Sequence, residues 1–240
     1  MSSNAPRLTR HAQRRPARHP ASGVMHRASS VRHSPFLVVL SSPSGAGKTT
    51  ICRAVARRDR NIAYSVSATT RPRRKGETDG RSYFFYSEKQ FQQLSDKGGL
   101  IESAGVYDHR YGTPKAPVLR HFREGRDVAA DLDIQGMRSC RKALPGTVSV
   151  FITAPDTDEI DRRLRSRGTD SAEEVRRREA NREKELAAIP EFDYLVVNDR
   201  LEQAVDDVMA IVRAERLRTS RMSPTARNPK TKTEGRRPRK

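Results

Sequence analysis

SSPSGAGKTT, residues 41–50, follows directly on the apolar run FLVVL (Phe36 to Leu40) and leads into TTICRAVARR. The first run has the length and β-branching of a buried strand, and the last has the composition of a helix. Strand, glycine-rich loop, Gly-Lys-Thr and helix together form the setting of a phosphate-binding loop, G-x-x-x-x-G-K-[ST]. Ser42 stands where that pattern has its first glycine; Gly45, Gly47, Lys48 and Thr49 are in place. Backbone N–H groups of the loop, from Ser44 to Thr49, are expected to curl round a phosphate at the positive end of the helix. Lys48 then reaches the outer phosphates, and the Thr49 hydroxyl takes a Mg²⁺ position. An ordinary strand-to-helix turn needs neither the two glycines nor the lysine. The expected triphosphate-binding segment is Ser42, Pro43, Ser44, Gly45, Ala46, Gly47, Lys48, Thr49 and Thr50.

Outward from this loop, strands alternate with helices. NIAYSVSATT alternates like a strand up to Thr70, and Tyr83 to Tyr86 gives a short strand after a basic, glycine-punctuated loop. Ser87 and Gln90 form a capping-box start for EKQFQQLSDKG. LIESAGVYDHRYGTP promises one or two short strands, and APVLRHFREG a helix ending at Gly125. DVAADLDI, TVSVFITAP and DYLVVND are apolar strand candidates, interleaved with helices over DTDEIDRRLRSRG, SAEEVRRREANREKELAAI and LEQAVDDVMAIVRAERL. This order predicts an α/β fold of the P-loop NTPase type, with a mostly parallel sheet covered by helices on both faces. A turn-rich segment near residues 67–117 reads as an inserted lobe. A charged helical hairpin about Gly168 reads as a lid.

The chain has 240 residues and a formal net charge of +19. Residues 1–35 carry seven arginines and no acid, and residues 216–240 carry ten basic residues against Glu234, leaving only +3 for the 180 residues between. The charge therefore belongs to the ends, which are poor in apolar residues and read as disordered tails. Specific nucleic-acid binding by the fold is not expected, and tail contacts would be weak and salt-dependent. The N-terminal tail is open to three readings: a bacterial extension, an organelle presequence, or sequence ahead of a start at Met25. Cys52 and Cys140 read as reduced structural thiols, which suits the cytoplasm. No run is long and apolar enough to span a membrane.

SATTRPRRKGETDGRSYFF, IESAGVYDHRYGT and DLDIQG, taken with the phosphate loop, resemble the guanylate kinase family from about Pro35 to Arg213. The family motif T-T-R-x-x-R-x-G-E-x-x-G-x-x-Y is complete at Thr69, Thr70, Arg71, Arg74, Gly76, Glu77, Gly80 and Tyr83, with its usual proline displaced to Pro72. The resemblance implies transfer of the γ-phosphoryl of ATP to GMP or dGMP, assisted by Mg²⁺. It gives Arg71, Arg74, Tyr83 and Tyr111 to the acceptor phosphate, which forked guanidinium and phenol donors suit. It gives Glu102, with Asp131 assisting, to the guanine N1–H and N2 amino donors, and Ser67 and Thr113 to O6 or N7. The resemblance gives Asp133 a role near the metal and the phosphate loop, organising Mg²⁺ waters; alternation along a strand would set Asp131 and Asp133 on one face. Arg167 and Arg178 fall at lid positions, where they stabilise charge on the moving phosphoryl group together with Lys48.

The implied organisation is a tail over 1–34, a kinase domain over 35–215 and a second tail over 216–240. The domain divides into a core (35–66, 118–155 and 188–215), a GMP-binding lobe (67–117) and a lid (156–187). Three other readings remain for the domain or its tails. A guanylate-kinase-like peptide-binding module would be eroded at the loop and lid, a kinase for another phosphate acceptor would lack Glu102 and Asp131, and a nucleic-acid binder would act through its tails.

Overall fold

The computed structural model describes residues 33–43, 45–106, 108–156, 159–160, 162 and 182–222. The first strand, β1 (Leu37–Ser41), is buried throughout and lies at the centre of a five-stranded sheet. It is flanked by β7 (Asp127–Asp131) and β8 (Val148–Thr153), with β2 (Ile62–Tyr64) and β9 (Tyr194–Val197) at the edges, and every pairing is parallel. Alternate side chains of β1 feed two cores. Phe36, Val38 and Leu40 pack with Ile51, Cys52 and Val55 of α1 (Lys48–Arg58) and with Val205, Val208 and Val212 of the C-terminal helix Leu201–Arg216. Leu37 and Val39 pack on the other face with Val118 of α3 (Lys115–Arg123) and Met137 and Cys140 of α4 (Ile134–Ala143). Burying both faces is why these strands read as unbroken apolar runs. The α/β sheet with helices on both faces is the architecture expected.

A second sheet lies within residues 68–114, in the order β4-β3-β6-β5. It comprises β3 (Ala68–Thr69), β4 (Phe84–Phe85), β5 (Leu100–Val106) and β6 (His109–Pro114). The single alternating strand expected over 61–70 is thus two strands in different sheets. Ser65 N–H still bonds to Ala129 of the first sheet, whereas Ser67 already accepts from Phe84 N–H of the second. The helix α2 (Glu88–Asp96) starts at the predicted capping box, Ser87 bonding the Gln90 N–H and Gln90 returning to Ser87.

Two expected boundaries move. The described residues begin with His33, whose ring lies 2.9 Å from Asp127 Oδ1, and end with Met222, which bridges back to His33. Arg216, assigned to a tail, ends the last helix and binds both buried Asp127 and Asp59, each at 2.7 Å. Arg221 lies over the Phe36 ring at 4.2 Å and pairs with buried Glu215. These arginines look like tail charges in composition, but they are the counter-ions of acids inside the fold. The remaining residues assigned to both tails, and nearly all of the lid hairpin, lie outside the described residues.

Candidate active site

The loop after β1 is built as its sequence predicts. Gly45 and Gly47 have φ of +96° and +91°, in the left-handed region that glycine occupies without a Cβ penalty. Gly47 caps α1, and Lys48 is its first residue. Ser42, in place of the first glycine, turns its hydroxyl onto the Pro43 carbonyl at 2.8 Å. The Asn198 side chain, just beyond β9, donates to the Ala46 carbonyl at 2.8 Å from a buried position. A Cβ at position 47 would come within 2.6 Å of that amide. Asn198 was not among the expected site residues, although an asparagine at the carboxyl end of a parallel strand is where ligand groups collect. Ser44 lies outside the described residues.

The two aspartates exchange the places expected of them. Parallel register sets Asp131 opposite Leu40, at the mouth of the phosphate loop. There Thr49 Oγ1 donates to Asp131 Oδ2, and the Tyr64 hydroxyl donates to Oδ1 at 2.8 Å. Burial, then the negative charge of Asp131, pushes the Tyr64 phenol well above its ordinary range, so it stays a neutral donor. Asp131 was expected beside Glu102; it stands instead on the phosphate side. Asp133 was expected near the metal; it stands on the opposite side, next to Glu102. The reason is that β7 ends at Asp131. Asp133 has left the strand and is the N-cap of α4, its carboxylate accepting from Gly136 N–H at 2.7 Å. Strand alternation therefore does not apply between them. The spacing of Asp133 and Gly136 ahead of a helix was a capping signal present in the sequence.

Glu102, on β5, is only 7 % exposed. Thr113 Oγ1, from the neighbouring β6, donates to its Oε1 at 2.7 Å. The Thr113 hydroxyl, expected to face the purine, is thus engaged in holding Glu102. Gly136 is the point where Glu102 and Asp133 converge: a Cβ there would lie 3.1 Å from Asp133 Oδ1 and 3.2 Å from Glu102 Oε2. Burial raises the Glu102 carboxyl to about 7; the hydrogen bond from Thr113 opposes this, and the Asp133 charge adds to it. The Thr113 backbone N–H also favours the charged form, but burial and the neighbouring carboxylate prevail. Ser67 is nearly buried at the junction of the two sheets.

The loop after β3 carries the arginines. Arg71 donates to Glu77 Oε1 at 2.6 Å, and the Arg74 N–H donates to Glu77 Oε2 at 2.8 Å. Burial works against the Glu77 charge, but Arg71 and Arg74 outweigh it and hold the carboxyl below its usual range. Glu77 therefore braces the loop. It lies in the quoted motif but was not given a role. The Arg71 guanidinium is 5.4 Å from the centre of the Tyr83 ring, and Tyr83 meets Tyr111 edge-on at 6.0 Å. Burial, then Asp131, raises the Tyr83 phenol to about 12. Arg71, Tyr83 and Tyr111 thus come together, with the Arg74 side chain exposed beside them. Arg167 and Arg178 lie outside the described residues.

The donor set at Thr49 and Asp131 consists of hard oxygens, which fits Mg²⁺. The described residues contain no group of three or more His, Cys, Asp or Glu able to hold a metal. Thr49 and Asp131 are the residues that would hold such an ion. No helix among the described residues is long and apolar enough to cross a membrane.

Comparison with known proteins bears on this geometry. Residues 34–215 match the family model described as guanylate kinase. A guanylate kinase of Caldanaerobacter subterraneus subsp. tengcongensis is 42% identical over 192 residues, spanning 80% of this chain and 93% of that protein. One from Sphingopyxis alaskensis is 47% identical over 186 residues, spanning 77% and 84%. The crystal structure of guanylate kinase from Anaplasma phagocytophilum superposes with a TM-score of 0.67 at 30% identity, covering 80% of this chain and 92% of that one.

Proposed function

The chain belongs to the guanylate kinase family, an ATP:GMP phosphotransferase family, and from that premise we propose how its residues divide the reaction. The observation that carries the proposal is that the two carboxylates keep different company, beside an arginine–tyrosine cluster braced by Glu77. Asp131 is bonded to the phosphate-loop threonine at one end, and buried Glu102 lies beside Asp133 at the other.

At the first end, the loop N–H groups and Lys48 hold the ATP phosphates, with Asn198 fixing the loop's shape from below. Thr49 and Asp131 are the residues that would hold Mg²⁺, which when bound neutralises phosphate charge during transfer. At the other end, guanine brings two donors, N1–H and the N2 amino group. Glu102 and Asp133 supply the acceptors, and Ser67 supplies a hydroxyl towards O6 or N7. Adenine presents a lone pair at N1 and would face a carboxylate that repels it. Thr113 acts through Glu102, fixing the direction in which its free oxygen points.

Arg71, Arg74, Tyr83 and Tyr111 receive the GMP phosphate between the two ends. Fixed positive charge there offsets the repulsion of two anionic phosphates brought in line. The tyrosine hydroxyls donate without adding charge. Arg167 and Arg178 complete the proposal as the lid cations that close over the transferring group and exclude water. Because the γ-phosphoryl moves directly from ATP to GMP, no side chain needs to become phosphorylated. A cytoplasmic setting suits Cys52 and Cys140, both free and buried.

The test is a coupled assay offering GMP, dGMP, AMP, CMP and UMP separately with ATP and Mg²⁺. The assignment predicts turnover of GMP and dGMP and little of the others. Comparable turnover of AMP would contradict the role given to Glu102 and Asp133.

A further inference from the structure

Tyr64 ends the edge strand β2, and its register opposite Ala129 sets it beside the last turn of β7 before Asp131. Its hydroxyl donates to Asp131 Oδ1 at 2.8 Å, while Thr49 donates to Oδ2. The Arg53 guanidinium lies over the Tyr64 ring, 5.1 Å from its centre. Arg53 is four residues beyond Thr49 on α1, and so on the same face of that helix.

A carboxylate's terminal torsion is soft, and one donor leaves its plane free to turn. Two donors, one on each oxygen, fix both its place and its rotation. A phenylalanine at position 64 would fill the same space, so packing alone does not account for the hydroxyl. We propose that Tyr64, steadied by Arg53 laid across its ring, is a positioning residue that orients Asp131 and thereby sets how strongly the site prefers metal-bound ATP over free ATP. This rests on the assignment of Asp131 to the metal side.

The test is calorimetric binding of ATP in excess Mg²⁺ and in chelator, without GMP, on the full chain and its variants. Tyr64→Phe should reduce the Mg²⁺-dependent gain in affinity by about ten-fold, the scale of one lost hydrogen bond to a charged group, and leave metal-free ATP binding unchanged. Its kcat should recover at saturating Mg²⁺. A full Mg²⁺ gain in Tyr64→Phe, or a kcat lowered equally at every Mg²⁺ concentration, overturns the proposal. Asp131→Asn separates the two layers. If it keeps the Mg²⁺ gain, the assignment of Asp131 itself fails; if it loses the gain while Tyr64→Phe retains it, only the role of Tyr64 fails. Arg53→Met leaves the hydroxyl in place and should show the same effect at about two- to three-fold; no change there contradicts the steadying role of Arg53.

Discussion

Asp131 and Glu102 are both carboxylates of the candidate site, yet their surroundings are opposite. Asp131 has a hydroxyl donor on each oxygen, from Thr49 and Tyr64. Glu102 has the Thr113 hydroxyl on one oxygen, little solvent, and the Asp133 carboxylate close to the other. The first has a donor for each of its oxygens. The second is buried and faces another carboxylate, and its carboxyl is raised to about 7. A nucleobase edge bearing two N–H groups would bring donors to Glu102 and Asp133, whereas a phosphate anion would add to the repulsion.

The contrast is broken most severely on the phosphate side. Asp131→Asn and Lys48→Ala should each lower kcat by about a hundred- to a thousand-fold, the scale of removing a preorganised electrostatic group. The KM for GMP should stay within about three-fold for Asp131→Asn, because that residue does not touch the base. Steady-state kinetics in each substrate separately checks both. Glu102→Gln should instead lower kcat/KM for GMP by about a hundred-fold, the cost of mispairing a buried donor pair, with the KM for ATP unchanged.

Acidity sharpens the contrast. Glu102 is raised to about 7, and it must be ionised to accept both guanine donors. GMP affinity should therefore weaken as pH falls below 7, approaching about ten-fold per unit, and binding at pH 7 should release protons. Calorimetry in buffers of different ionisation enthalpy measures that release, and Glu102→Gln should diminish it. Stability runs the other way. Below the ordinary value of 4.5 the group is protonated in both the folded and unfolded chain. Between 4.5 and 7 only the folded chain keeps the proton, so stability declines as pH rises through this window and then levels off. Without nucleotide, Glu102→Gln should gain on the parent by about 2–3 kcal/mol between pH 5 and pH 8, read from denaturant melts.

The smallest effect is expected at the base of the loop. Asn198→Ala removes the buried bond to the Ala46 carbonyl and should weaken ATP binding by about five-fold while leaving GMP binding intact.

Much of this was legible before any coordinates. The phosphate loop, the central strand and the capped helix at Ser87 follow from local pattern, because each depends on residues adjacent in sequence. Gly47 and Lys48 needed nothing else. The exchange of Asp131 and Asp133 was hidden because it depends on where β7 stops. Two carboxylates two residues apart share a face only while the strand continues. The roles of Tyr64 and Asn198 were hidden for another reason: each acts on a residue far away in the chain, through a parallel register that pattern does not specify. The tail boundary was misjudged at Arg216 and Arg221 because composition does not distinguish a solvated arginine from the partner of a buried acid.

The central claim is that Asp133 serves the base while Asp131 serves the phosphates. Calorimetric titration of GMP into Asp131→Asn and Asp133→Asn, without ATP or metal, tests it most directly. Asparagine caps a helix about as well as aspartate, so α4 should survive the second change. The account predicts that Asp133→Asn weakens GMP binding by about ten-fold or more, and that Asp131→Asn binds GMP as tightly as the parent or more so. Loss of GMP binding in Asp131→Asn with retention in Asp133→Asn would contradict it.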